Sequence, residues 1–394
     1  MIDAPTDWRS SGLGRLIYAT LALFIVTTLL VGTTFLNKAV FGALVFFVFI
    51  RVVTRPDACR VVTFAPIVVA LIFMYGFVVG LLSRVDPALS RQLLFSVSIL
   101  FLIYPLVWFD IDLDPLLRLS GVILAAFSLL FLASVLAAPL SGIAASLLSF
   151  FVENNLGFAA EREFLESPIQ SFQLGTVPFL LLPLAIFADA ILRSEKVVLN
   201  SLAFLSVLAV VAISGARGLM LVSLLLLASL LWLRVRVANR VVLVLVAVPI
   251  AVVAFSELSS STQVFSPAEQ SNSIKLGHIR SFVDNFSVRS AIFGDGLGAY
   301  YYSSGRGREV AETEITLLDM VRYFGVIATG FLYASLLLPA ARLSRYRRAG
   351  VFAPAVLAAY LVLSLSNPVL WNSSGLLVVV WYWLHVLREP RVPA

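Results

Sequence analysis

The strongest constraint in this sequence is the recurrence of apolar runs too long for a soluble core. "LIYATLALFIVTTLLVG", from Leu16 to Gly32, is the first of them. Crossing the hydrocarbon of a bilayer takes about 17–25 helical residues. A helix is also one of the few folds that satisfies its own backbone there. Runs of this kind fall near 15–35, 37–54, 61–82, 92–109, 116–138, 173–192, 197–214, 218–233, 241–256, 316–338, 351–366 and 375–388. Composition agrees: 60% of residues are hydrophobic and 13% charged, against roughly 25% charged in soluble chains. The expectation is an all-α, polytopic transmembrane helix bundle of about twelve spans, one integral membrane domain over 1–394.

Charge placement sets the expected orientation. The formal net charge of +6 comes from short basic connectors such as "RVVTRPDACR", "RVRVANR", "ARLSRYRR" and "REPRVPA". With the N-terminus inside, connectors on that side hold 17 of the 28 Lys and Arg and the outside segments hold 11. That asymmetry follows the positive-inside rule and puts both termini in the cytoplasm. No aromatic-interleaved basic surface suggests nucleic acid as a partner. The N-terminal run is long and lacks a small-x-small cleavage site, so it reads as a retained first span. Cys59 is the sole cysteine and His278 and His385 the sole histidines. A thiolate or His/Cys metal cluster is therefore not expected, nor is a cofactor.

Two segments on the outer side are too long for turns. The first, 139–172, has Phe, Leu and acidic residues at helical spacing in its centre, which predicts an amphipathic interfacial helix. The second, 257–315, holds most of the polar chemistry, and its glycines and aromatics argue for order.

Candidate site residues concentrate in and around that second segment. Arg217 in "AISGARGLMLVSLL" interrupts apolar sequence between two glycines. It reads either as a side chain snorkelling to headgroups or as a guanidinium gripping phosphate from a cavity wall. His278, Arg280 and Arg289 lie on a stretch where Ile279, Phe282, Val283 and Phe286 recur at helical spacing. "FGDGLGAYYY" predicts a glycine turn without the βαβ context of a dinucleotide fingerprint. Tyr300, Tyr301 and Tyr302 suit sugar rings or serve as interfacial anchors. Glu312 and Glu314 stand at the mouth of the tenth span, where Glu314 gains from the helix dipole whether or not it has a chemical duty. Together these parts fit a site at the outer membrane face. Arginines would hold a lipid-linked phosphate, tyrosines a sugar, and a carboxylate the proton of an acceptor hydroxyl.

Three of these stretches, "SGARGLML", an arginine followed by "FGDGLGAYY", and "ETEITLLDMVRYFGVIATG", resemble the O-antigen polymerase and ligase family of bacterial polysaccharide enzymes. The resemblance covers roughly 197–340. In the ligase branch the last motif is a His-Asn pair with a glycine eleven residues past the histidine. Here Gly325 places Glu314 at the histidine position and Ile315 at the asparagine, a departure that favours polymerase over ligase. The resemblance implies a metal-independent, GT-C-type glycosyltransferase in the bacterial inner membrane. Such an enzyme joins repeat units carried on undecaprenyl pyrophosphate into O-antigen of lipopolysaccharide or into exopolysaccharide, at the periplasmic face. Its partners would be the lipid-linked oligosaccharide, membrane lipids and a chain-length regulator. By the motif match Arg217 and Arg280 occupy phosphate-binding positions; Arg289 joins them by spacing. Glu314 is then the expected general base, with Glu312 second. The competing class is a flippase or other transporter of lipid-linked oligosaccharide, for which Asp189 and Asn200 are the intramembrane polar candidates.

Overall fold

The computed structural model describes residues 11–32, 34–54, 61–136, 141–154, 156–164, 167–214, 216–234, 270–337, 350–365 and 367–387. Six described helical units are long and apolar enough to cross a membrane. They are α1 (Gly12–Val31), α2 (Phe35–Thr54), the unit Pro87–Trp108, α6 (Asp114–Leu136, apolar window to Leu132), α10 (Arg217–Arg234) and α13 (Thr316–Leu337). Shorter apolar helices run beside them: α3 (Ala65–Gly80), α8 (Leu181–Leu192, led in by a 3-10 turn from Val177), α9 (Val197–Ile213), α14 (Phe352–Ser364) and α15 (Ser373–Leu387). The chain is a helical membrane protein. Of the expected runs, 241–256 lies outside the described residues.

The unit Pro87–Trp108 is not uniform. It starts as α4 (Pro87–Val97), tightens to a 3-10 turn over Ser98–Leu102, and resumes as α5 (Ile103–Trp108). Pro105 has no N–H to give the carbonyl four residues back, and the turn just before it tightens accordingly.

Contacts between helices sort their termini into two ends. At one, Arg234 at the close of α10 meets Asp189 near the close of α8, and Trp381 of α15 donates to Asp114 at the start of α6. The first helix begins and the last helix finishes on this side, so we call it the terminal end. At the opposite loop end, Thr176 donates to the Leu29 carbonyl and Thr316 to that of Asn367. α15 and α8 form the centre: Trp381, Tyr382, Trp383 and Leu181–Ala185 are fully or almost fully buried. Helices apolar on every face belong in such a position. The outer helices instead leave Phe46, Phe49, Leu71, Leu224 and Phe331 exposed, as a lipid-facing surface requires.

The segment 139–172 differs from expectation. Its helix, α7 (Ser141–Glu153), occupies the first part only; the acidic centre is strand β1 (Gly157–Phe164), paired antiparallel with β2 (Ser167–Leu174). The two strands pair along their whole length, from Gly157 opposite Leu174 to Phe164 opposite Ser167. Residues 257–269 lie outside the described residues; the rest of the second segment is ordered structure at the loop end.

Candidate functional site at the loop end

The ordered part of the second segment consists of α11 (Gln270–Asn285), α12 (Val288–Phe293), a glycine turn, and a hairpin of β3 (Tyr301–Ser303) with β4 (Arg308–Val310). The glycine turn is a scaffold. Gly294, Gly296 and Gly298 have φ of 72°, 100° and 76°, in the left-handed region that penalises a Cβ. A Cβ at Gly296 would collide with the backbone of Gly80 on α3. The backbone is pinned from three sides: Leu297 donates to the Gly76 carbonyl at 2.8 Å, Asp86 to the Gly298 carbonyl at 2.9 Å, and Ser90 Oγ to the Leu297 carbonyl at 2.6 Å.

The same turn caps a broken helix. Gly325 interrupts α13 with φ 80° and ψ 169°, which removes the intrahelical partners of the carbonyls just before it. Asp295 N–H supplies the Arg322 carbonyl at 2.7 Å and Gly296 N–H the Tyr323 carbonyl at 3.2 Å. The glycines thus serve close approach of backbone to backbone.

Above this scaffold sits a buried ion pair. Asp319 and Arg322, one helical turn apart on α13, bond at 3.0 Å with side chains 3% and 5% exposed. Burial that complete is sustained only if every lone pair and N–H is used. Asp319 also accepts from the Thr313 N–H (2.8 Å) and hydroxyl (3.0 Å). Arg322 donates to the carbonyls of Ala299 (2.6 Å) and Ala311, and faces the Tyr301 ring at 4.2 Å. Ala299 and Ala311 bracket the hairpin, so this pair fixes where the hairpin stands. The sequence reading missed both residues. The signal was present: a carboxylate and a guanidinium three apart inside an apolar span.

His278 holds the hairpin from the other side. Its Nδ1 lies 2.8 Å from Ser303 Oγ and 3.0 Å from the Tyr301 hydroxyl. Burial pushes the imidazole below its ordinary value, against the pull of Glu314, so the ring is neutral near pH 7. Burial also pushes the Tyr301 phenol up to about 12, leaving it a protonated donor. His278 and Tyr301 are therefore tied into the hairpin's own support, while Tyr302 and Tyr300 are exposed.

The two glutamates differ sharply. Glu314 bonds Arg306 at 2.9 Å and has Lys275 at 3.8 Å, so its charge is doubly compensated. Glu312 has no such pair among the described residues. Solvent reaches its side chain from the loop end, yet enough protein surrounds it that burial, reinforced by Asp319 and Asp86 and opposed by Arg322, pushes its carboxyl up to about 7. A carboxyl open to ligand and poised near neutrality suits proton transfer. Nearby, Arg84 pairs with Glu309 at 2.8 Å and lies 5.6 Å from the Tyr300 ring centre.

The expected arginines are less concentrated. Arg217 is exposed at the start of α10, at the same end of the bundle. Arg280 is exposed on α11 and Arg289 on α12, and no ion pair or hydrogen bond among the described residues draws either to Glu312 or Glu314. Among the described residues no group of three or more His, Cys, Asp and Glu is arranged to hold a metal ion. No family model, curated protein or solved structure matches this chain.

Proposed function

We propose that the chain is a membrane glycosyltransferase that polymerises oligosaccharide repeat units carried on undecaprenyl pyrophosphate, with its site at the loop end. The observation that carries this reading is Glu312: one open carboxyl near neutrality beside a tyrosine hairpin on a rigid mount. Glu312, rather than the doubly paired Glu314, takes the proton of the acceptor hydroxyl. The acceptor oxygen then bonds to the anomeric carbon of the donor, whose bond to the phosphate oxygen breaks. Undecaprenyl pyrophosphate leaves with the bonding electrons.

The leaving group needs cations. Arg217 keeps the phosphate role implied by the resemblance. Arg84 and Arg306 join it, held on Glu309 and Glu314 on either side of Glu312 in the chain. Such partly exposed pairs hold by about 1 kcal/mol or less, so exchanging a carboxylate for a pyrophosphate costs little. Tyr300 and Tyr302 offer exposed rings to sugars. The described helix ends that flank the basic connectors, such as Thr54, Arg234 and Leu387, lie at the terminal end, which supports placing that end in the cytoplasm and the site at the periplasmic face of an inner membrane, with about twelve spans.

Transport is less well supported. Asp189 and Asn200, the polar residues a translocation path would use, are both at the terminal end. Asp189 is bound by Arg193 and Arg234, and Asn200 caps the Glu195 carbonyl. The test is to incubate purified protein in lipid with lipid-linked repeats and no nucleotide sugar. A ladder of polymer on a sugar gel that vanishes in Glu312→Gln supports the reading; no ladder from the native protein, or an undiminished one from the variant, overturns it.

A further inference from the structure

α11 presents three distinct faces. Ile274, Gly277, His278 and Ser281 pack on the hairpin, with Gly277 set directly against Gly305. A second face is apolar and bare: Leu276, Ile279 and Val283, at i, i+3 and i+7, are 52%, 43% and 67% exposed. Beside it runs a polar exposed face of Ser273, Arg280 and Asp284. α12 continues the bare apolar surface with Val288, Ile292 and Phe293 and adds exposed Arg289. One apolar and one charged exposed face, side by side, is the pattern of a helix at a membrane surface.

The depth of this segment identifies its occupant. The Tyr75 hydroxyl on α3 donates to the Phe293 carbonyl at 2.7 Å. Tyr75 is five residues short of the end of α3, roughly 7 Å down its axis. Helical side chains also lean toward the N-terminus, here away from the loop end. On α13, Gly325 packs against the Ile292 carbonyl, nine residues or roughly 13 Å inside that helix. α12 therefore sits below the tips of both spans. On the two helices it packs against, Val78 of α3 and Val326 and Ile327 of α13 are 54%, 52% and 60% exposed. The surface is continuous with the lipid-facing one.

We propose that α11 and α12 lie in the bilayer interface at the loop end, their apolar faces among acyl chains, with Arg280 and Arg289 bonded to lipid phosphates. Guanidiniums bind phosphate by paired N–H donors, and neither arginine has a protein partner among the described residues to give up. The segment forms a sill between the bilayer and the hairpin. This placement does not depend on the polymerase reading.

The experiment uses the full chain with Cys59→Ser and single cysteines replacing Ile279, Val283 or Val288, with Asp284 and Tyr302 as controls. All five positions are exposed, so substitution is mild. Each is labelled with bimane and reconstituted in phosphatidylcholine–phosphatidylglycerol vesicles with plain or brominated acyl chains. Bromine is expected to cut emission at 279, 283 and 288 by about twofold or more and to leave the controls unchanged, as for residues at acyl depth. In a labelled Val283→Cys protein, adding Arg280→Gln and Arg289→Gln is expected to abolish any extra quenching that phosphatidylglycerol gives over phosphatidylcholine alone. Water-exposed emission at 279 and 283 overturns the proposal. So does emission shielded from water but insensitive to bromine, which would mark a second copy or another protein on this face.

Discussion

The two ends of the bundle both gather charge, but they settle it differently. At the terminal end a cavity of about 410 Å³ is lined by Asp112, Asp114, Arg118, Asp189, Arg193 and His385, among others. There Asp189 has two guanidiniums, Arg193 at 2.7 Å and Arg234 at 2.5 Å, and Asp114 has the Trp381 indole at 2.8 Å with His385 at 3.7 Å. Asp189 is thus outnumbered by its guanidiniums, and Asp114 is held by N–H donors. Glu312 at the loop end is placed differently: Asp319 and Asp86 both raise its proton affinity, and the guanidinium that opposes them, Arg322, is already committed to Asp319. Glu312 is the surplus. A paired carboxylate holds helices together; an uncompensated one enclosed by protein has its proton affinity raised and becomes available for chemistry.

Removing the surplus is expected to have the largest effect. Glu312→Gln should lower glycan extension by about a thousandfold, within the range for loss of a general base, with protein level unchanged. Native activity should rise through pH of about 7 as the carboxylate ionises. Stability should run the other way. A carboxyl raised from 4.5 to about 7 binds a proton in the folded protein that the unfolded chain has already lost. The folded state thus loses stability as pH climbs between those values and levels off above them. Glu312→Gln should flatten that slope in melting curves taken from pH 5 to 8. Equal slopes in both proteins would remove Glu312 from the reading.

Breaking the buried pair tests the scaffold. Asp319→Asn leaves Arg322 uncompensated in a dry site, a loss of about 3–5 kcal/mol. Folded protein recovered in detergent should fall accordingly. Replacing both with apolar residues of similar volume should restore much of it. A double variant as damaged as the single would mean that the pair's carbonyl contacts, rather than its charge, hold the hairpin.

Glu314 sharpens the contrast between the glutamates. It is compensated by Arg306 and Lys275, so Glu314→Gln should cost about tenfold or less in extension, an effect on placement rather than proton transfer. A loss as large as that of Glu312→Gln would return the base to Glu314.

The sequence was most legible where one physical rule dominates. Hydrocarbon thickness fixes the length of apolar runs, and the described helices fall within a few residues of the expected spans: 197–214 became Val197–Ile213, and 316–338 became Thr316–Leu337. The helical spacing of Ile279, Phe282, Val283 and Phe286 correctly announced α11. In 139–172 the structure has a helix, α7, but the acidic stretch after it pairs as a hairpin, and ladder pairing leaves no local mark in the sequence. The site was half legible. Its glycines and glutamates stand out by type, but which glutamate is compensated depends on Arg306, Lys275 and Asp86 folding into place. Arg280, expected from the motif match, and Arg289, expected from spacing, are both exposed on their helices; spacing locates a helix without saying which face meets the protein.

The smallest expected effect closes the comparison from the other end. Asp189 is 11% exposed, but its partners Arg193 and Arg234 are 48% and 43% exposed. If Asp189→Asn removes the charge, both guanidiniums keep a path to water and to lipid phosphate, so no cation is stranded as Arg322 would be. The amide still accepts one hydrogen bond. The loss should be about 1 kcal/mol, seen as a small fall in melting temperature, while extension activity stays within about twofold of native. The outcome that would unsettle the contrast is a collapse of activity with folding intact. The terminal-end cavity would then have to communicate with the loop end through α8 and α10, and its paired charges could no longer be treated as structural alone.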